Sequence, residues 1–138
     1  MRVRKAGEED FLQIIELARS LDLDTPGMEG DRFWVAEEED GRIVGVVALK
    51  KHPDCLELCA LGVEAAHRGR GIAKALVEAL MAEARGDVHL ATIIPGFFEA
   101  GGFERTPDVP RTFLDRKRAE WCEGCDRRLC TVMLRKVS

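Results

Sequence analysis

Hydrophobic and polar positions recur along the chain in patterns that predict alternating strands and helices. A run over residues 56–63 that is apolar except for Glu57 predicts a buried strand, and a stripe at Ile72, Leu76 and Leu80 predicts a helix directly after it. The other patterns predict strands at 1–6, 33–38, 42–51, 88–94, Phe103 and 131–137, and helices at 8–21, around Phe97 and at 111–121. The chain is therefore expected to have an α/β fold, an α+β arrangement with a mixed sheet.

The turn between the central strand and its helix has the composition of an anion site. Gly69 and Gly71 allow a tight turn and close approach to a ligand, and the first N–H groups of a helix beginning at Ile72 have no intrahelical acceptor. Positive charge is supplied by Arg68, Arg70 and Lys74. This combination favours the binding of a pyrophosphate. The alternative is that the glycines only end a strand and begin a helix, which would produce the same sequence.

Two other phosphate-binding loops do not fit. A Walker A loop requires a Gly-Lys pair followed by Ser or Thr, and the chain has none. A dinucleotide fingerprint beginning at Gly69 would need Gly or Ala at position 74, where Lys74 stands.

Two motifs in order resemble the GNAT N-acetyltransferases. Arg68, Gly71 and Ala73 match that family's cofactor loop, which reads Arg or Gln, two residues, Gly, one residue, then Gly or Ala. Residues 95–104 resemble its Phe-Tyr-x-x-x-Gly-Phe signature, with Phe98 at the second position. The predicted element order also agrees with the family's fold, a single mixed central sheet flanked by helices.

The resemblance implies acetyl-CoA as cofactor, lying along the central strand with its pyrophosphate on the loop. The residues that it implies for cofactor binding are Leu61, Gly62, Val63, Arg68, Gly69, Arg70, Gly71, Ile72, Ala73 and Phe98. It also implies an acyltransferase that moves acetyl to a primary amine by direct attack in a ternary complex.

Glu57 is the first candidate for the base that such a transfer needs. Strand alternation places Glu57 with Cys59 and Leu61 on one face, and a buried carboxylate is costly unless it is used or paired. An ion-paired structural glutamate is the alternative. His89 on the next strand is the second candidate, with a satisfied core or edge histidine as its alternative.

Phe98 departs from the family signature. The family often has a Tyr there as general acid, and this chain contains no Tyr. Either water protonates the leaving thiolate, or the chain is a catalytically weak acetyl-CoA sensor or an interaction module.

The sequence points to two kinds of acceptor. A Pro-x-Phe-Phe helix before a basic segment and a Cys-x-x-Cys resembles short N-acetylglutamate-synthase-like enzymes, which implies glutamate. The carboxylates of glutamate would accept paired hydrogen bonds from the basic residues Arg111, Arg116, Lys117 and Arg118. A carboxylate-rich early loop would instead attract amines, through Asp22, Asp24, Glu29 and Asp31. We expect a small-molecule amine acceptor and leave its identity open.

Length, composition and charge predict the number of domains, the kinds of partner and the location of the protein. The 138 residues, 46% of them apolar, predict one domain over 1–138, and a net charge of −4 gives no reason to expect nucleic-acid binding. Without an apolar segment of membrane length or an export signal, we expect a cytoplasmic protein that does not bind membranes. The edge strands of the predicted sheet make a homodimer possible.

The spacing of Cys122, Cys125 and Cys130 would suit zinc with a fourth ligand such as His52, but unmetallated thiols are favoured and no metal is predicted.

Overall fold

The computed structural model describes residues 1–23, 31–118 and 131–137. Its strands are β1 (Arg2–Lys5), β2 (Arg32–Glu37), β3 (Ile43–Lys51), β4 (Leu56–Val63), β5 (Val88–Thr92), β6 (Glu104–Arg105) and β7 (Thr131–Arg135). Its α-helices are α1 (Phe11–Ser20), α2 (Ile72–Glu83), α3 (Pro95–Ala100) and α4 (Arg111–Arg118), with 3₁₀ turns at Glu8–Asp10 and Ala65–His67. The strand order is β1-β2-β3-β4-β5-β7-β6, and β4 pairs with β5 in parallel. The predicted mixed sheet with helices is confirmed.

Residue contacts divide the chain into two units. The first comprises residues 1–50 and 58–83, and the second comprises 51–57 and the described part of 84–138.

The first unit has apolar layers on both faces of its strands. Phe33 and Val35 of β2 belong to one core cluster together with Ile14, Leu17 and Ala18 of α1. The intervening Trp34 is also buried, and its indole N–H donates to the Glu83 carboxylate of α2. Burial of both faces explains why β2 and β3 read as continuous apolar runs.

Gly45 sets how closely α2 approaches β3. A Cβ at Gly45 would lie 3.1 Å from Leu76 Cδ1 and 3.2 Å from Ile72 Cγ2. The missing side chain therefore lets the buried face of α2 pack tightly on the strand.

An ion-pair network joins β1, the first 3₁₀ turn and β2. Arg4 donates to both carboxylate oxygens of Asp10, each at 2.8 Å, and also to Glu37. Asp10 additionally accepts the backbone N–H of Gly7. The Arg4 guanidinium holds the pKa of both carboxyl groups below their usual values.

In the second unit, β5 and β7 pair antiparallel, from Val88 with Arg135 to Thr92 with Thr131. α3 ends in a Schellman motif, in which Gly102 has φ +90° and the Phe103 N–H donates to the Phe98 carbonyl at 3.0 Å. α3 therefore ends at Ala100, with Gly101 and Gly102 directly after it.

Several predicted boundaries are wrong by a few residues. The helix expected at 8–21 divides into a 3₁₀ turn and α1, and the strand expected at 88–94 ends at Thr92. That strand stops early because Thr92 Oγ1 accepts the Ile94 N–H and Pro95 begins α3. The charged helix is described only to Arg118, so the rest of that prediction lies outside the described residues. None of the described helices is long and apolar enough to span a bilayer.

Candidate functional site

The central strand β4 carries a backbone irregularity at Ala60, where φ is +51°. Cys59 and Ala60 both pack against the core cluster that includes α1, although consecutive strand residues normally face opposite sides. A Cβ at Gly62 would lie 2.9 Å from Leu21 Cδ1, so Gly62 faces that same core. Leu61 therefore points the other way, and the predicted shared face of Cys59 and Leu61 is wrong.

The remaining cofactor residues predicted on β4 lie beside this irregularity. Leu61 and Gly62 are half-buried, and Val63 is buried. Leu23 also presses on Gly62, with Cδ1 3.0 Å from the position of a Cβ. The glycine thus lets Leu21 and Leu23, which follow α1, pack directly on the β4 backbone.

The turn before α2 has the backbone geometry that an anion site needs. Gly69 has φ +83° and Gly71 has φ +78°, and a Cβ on either would meet no atom within 4 Å. The Ala75 N–H donates to the Gly71 carbonyl at 3.1 Å, so the N–H groups of Ile72 and Ala73 lie before this helical donor and have no carbonyl of the helix to bind. No acidic residue occupies the first turn of α2. The helix N-terminus therefore faces open space with its positive dipole end uncompensated there.

Side chains hold this turn in place. Arg68 Nε donates to the Val63 carbonyl at 3.1 Å, which connects the turn to the end of β4. Arg70 Nη1 lies 3.1 Å from Glu38 Oε1 and 2.8 Å from His67 Nδ1. Sequence reasoning missed Glu38 and His67, because no local pattern predicts their contact with the loop.

The second unit contains the candidate base. Glu57 is 4% exposed, and its Oε1 lies 2.7 Å from His52 Nε2. The sequence predicted that Glu57 would be buried and used or paired, but it did not predict His52 as the partner. The two residues flank a turn that the His52 N–H closes by donating to the Cys55 carbonyl at 2.9 Å.

His89 of β5 is the register partner of Glu57. Register partners in parallel strands project to the same side of a sheet, so both candidate residues lie on one face. The His89 ring meets Phe113 of α4 edge-on, with centroids 6.3 Å apart. Its Nδ1 has no hydrogen-bond partner among the described residues, and burial lowers the pKa of the ring, which favours neutral imidazole.

Phe98 lies in an aromatic cluster. It is buried and packs edge-on against Phe97 at 5.0 Å and Phe103 at 5.6 Å between ring centroids. The position that carries Tyr in the family signature is thus apolar and packed in this chain.

Only part of the predicted acceptor chemistry lies within the described residues. Asp31 pairs with Lys50 at 3.2 Å, so its charge is compensated rather than presented to a ligand. Arg111 is exposed at the start of α4. The acidic residues Asp24 and Glu29, the side chains of Arg116, Lys117 and Arg118, and the three cysteines Cys122, Cys125 and Cys130 lie outside the described part. Among described residues, no group of three or more His, Cys, Asp or Glu side chains is placed to hold a metal.

A central strand followed by a glycine turn and an open helix N-terminus is the arrangement that the sequence motifs implied. The sequence model of the Acetyltransferase (GNAT) family matches residues 5–100. That is well over half of the chain, and the chain belongs to this family.

Named relatives agree with this membership. N-acetyltransferase 8 from Mus musculus is 35% identical over 103 residues, covering 64% of this chain and 44% of that protein. N-acetylaspartate synthetase from Homo sapiens is 47% identical over 49 residues, covering 34% of this chain and 16% of that protein. The chain thus spans less than half the length of these relatives.

Solved structures share the fold over nearly the whole chain. N-acetylglutamate synthase from Neisseria gonorrhoeae, complexed with coenzyme A and N-acetyl-glutamate, has a TM-score of 0.76 at 20% identity and covers 99% of this chain and 35% of that one. Rv2747 from Mycobacterium tuberculosis, in complex with CoA, has a TM-score of 0.72 at 25% identity and covers 100% of both chains.

Proposed function

We propose that this chain binds acetyl-CoA and transfers its acetyl group to the primary amine of a small acceptor by direct attack in a ternary complex. The observation that carries the proposal is the turn at Gly69 and Gly71, whose left-handed backbone opens the N-terminus of α2 to an anion. Family membership supports the activity, and the two solved relatives that hold coenzyme A support the cofactor.

The proposed cofactor site uses mainly backbone groups. The N–H groups of Gly71, Ile72 and Ala73 would bind the pyrophosphate, with the exposed side chain of Arg68 adding charge and Arg70, paired with Glu38, holding the loop. Half-buried Leu61 and Gly62 and buried Val63 complete the residues of the first unit that we assign to the cofactor. A backbone N–H after the irregularity at Ala60, from Gly62 or Val63, would donate to the thioester carbonyl.

Glu57 is the proposed base. A primary ammonium has a pKa of about 10.4, so it must lose a proton before its nitrogen can attack. Glu57 accepts that proton, the neutral nitrogen attacks the thioester carbonyl to form the new carbon–nitrogen bond, and the carbon–sulfur bond breaks to release coenzyme A thiolate, while the nitrogen passes a second proton to water to leave a neutral amide. Because Phe98 carries no proton to donate, water protonates the thiolate, whose pKa near 8.5 makes this step easy. Neutral His89 on the same face is a second proton acceptor.

The acceptor that we favour is an amino acid. Two relatives are named for acetylated amino acids, N-acetylglutamate synthase and N-acetylaspartate synthetase. Exposed Arg111 at the start of α4 suits a carboxylate, and the Asp31–Lys50 pair removes one charge that would have repelled it. Glutamate and aspartate are therefore the first acceptors to test.

Release of free thiol from acetyl-CoA, measured over a panel of amino acids and amines, tests the function. We expect turnover with at least one amino acid, and loss of turnover in Glu57→Gln with coenzyme A affinity retained. The absence of thiol release with every acceptor, despite saturable cofactor binding, would contradict the proposed activity.

A second candidate function, a cofactor sensor or interaction module, is favoured by one observation. Phe98 replaces the family Tyr inside a packed aromatic cluster, and the chain contains no Tyr to take its place. Tight acetyl-CoA binding without transfer to any acceptor is the result that this candidate predicts.

We further propose that residues 1–138 act as one acetyltransferase domain, that the protein is cytoplasmic and that it forms a homodimer. The family match runs through residues of both units, which supports the single domain. Light scattering of the purified protein tests the dimer, and microscopy of a tagged chain tests the location.

A further inference from the structure

His52 is the polar partner that the structure gives to the candidate base. Its Nε2 lies 2.7 Å from Glu57 Oε1, and the side chains are only 15% and 5% exposed. His52 directly follows β3, and Glu57 is the second residue of β4, so one short turn carries both. That turn is closed by the bond from the His52 N–H to the Cys55 carbonyl, which restricts the backbone of the pair.

The protons of this pair are constrained by chemistry. An ionised carboxylate can only accept, so His52 Nε2 must carry a hydrogen whenever Glu57 is ionised. A carboxylate so little exposed needs such a donor, because burying an unpaired charge is costly. His52 therefore supplies a donor that orients the Glu57 carboxylate.

His89 does not provide the same support. It shares the face of Glu57 by register, but its Nδ1 has no hydrogen-bond partner among the described residues and its ring meets Phe113. The β3–β4 turn, by contrast, supplies a hydrogen bond to the base through His52.

We propose that His52 is a positioning residue for Glu57, with Nε2–H donating to Oε1 so that the carboxylate is held aligned for proton transfer. This inference rests on the proposed acetyl transfer. During the transfer Glu57 takes one proton from the acceptor ammonium and later returns it to solvent, while His52 keeps its own proton throughout.

Two substitutions at His52 test this role. His52→Leu removes the donor while keeping an apolar volume, and His52→Gln supplies an amide N–H of similar reach. We expect kcat to fall about 30-fold or more in His52→Leu, with the acceptor KM and the coenzyme A Kd unchanged within about twofold, and most of kcat to return in His52→Gln. Asp10→Asn is the control, because it breaks another buried ion pair and should leave kcat unchanged in the folded fraction.

A measurement without turnover keeps the test independent of the proposed function. Long-range ¹H–¹⁵N correlation spectra distinguish protonated from unprotonated ring nitrogens, and we expect a protonated Nε2 at His52 near neutral pH in the wild-type protein. Wild-type protein that transfers no acetyl group would refute the proposed function but not this pairing. An unprotonated Nε2, or equal kcat in the wild type and both His52 variants, would overturn the positioning role. The spectra and His52→Gln still decide the question if His52→Leu does not fold.

Discussion

Replacing Gly71 by Ala tests whether the turn before α2 is the cofactor site. At φ +78° an L-residue is strained by roughly 1–2 kcal/mol, partly offset by the 0.4–1 kcal/mol or so that Ala gains over Gly in the unfolded chain. We therefore expect a loss of about 1 kcal/mol in the free energy of unfolding. A Cβ at Gly71 meets no protein atom within 4 Å, so the added methyl projects into the space that we assign to the pyrophosphate.

The effect on binding should exceed the effect on folding. Displacing the ligand from one charge-assisted hydrogen bond costs about 1.5–3 kcal/mol, which corresponds to a 10- to 150-fold or so weaker Kd. Isothermal titration with coenzyme A measures the Kd, and urea unfolding measures the stability.

Gly41 provides a matched control in the β2–β3 turn. Its φ is +87°, and a Cβ there also has nothing within 4 Å. Gly41→Ala should therefore lose similar stability and keep the wild-type Kd. The reasoning would be refuted if Gly71→Ala bound coenzyme A like the wild type, or if both variants lost affinity equally.

Three further predictions concern stability. Asp10→Asn should lower the free energy of unfolding by about 2 kcal/mol at neutral pH; because the folded chain lowers the pKa of Asp10 from 3.8, this difference is complete above that pH and disappears as pH falls through the lower folded value. A pH series of urea titrations checks this, and a difference that grows on acidification would contradict it. Burial lowers the pKa of His89 from 6.5 in the folded chain, so the unfolded chain binds a proton at this ring more readily. The free energy of unfolding should therefore decline from about pH 7 to pH 5, and this decline should be less steep in His89→Gln. Equal slopes of the free energy of unfolding against pH in the wild type and in His89→Gln would exclude His89 as the cause. Gly102→Ala should lower the free energy of unfolding by about 1 kcal/mol in urea titrations, because φ is +90° at the end of α3, and an unchanged value would count against the strain.

The fold could be predicted largely from local patterns. The observed β4 (Leu56–Val63) matches the apolar run, and α2 begins at Ile72 where the helical stripe begins. Glycine marked positive φ correctly at Gly69 and Gly71. These features depend on residues close in sequence, and the sequence therefore carries them directly.

The features that sequence reasoning missed depend on pairing or on an unmarked backbone change. Ala60 adopts φ +51° without the glycine that usually signals it, so the change of face after Cys59 had no local sign. The contact of Asp31 with Lys50 follows from the β2–β3 register, in which Arg32 pairs with Leu49, and a hairpin centred on Asp40-Gly41 could have predicted it. His52 and Glu57 likewise flank one turn, but only the folded turn brings their side chains to 2.7 Å.

The most direct test of the proposed pyrophosphate site uses amide spectra of ¹⁵N-labelled protein. The spectra are recorded during titration with coenzyme A and, separately, with pantetheine. If main-chain N–H groups hold the pyrophosphate, the signals of Gly69, Gly71, Ile72 and Ala73 should shift saturably with coenzyme A and remain in place with pantetheine, which lacks that group. Unchanged signals at these positions, while coenzyme A saturates the protein, would contradict the account.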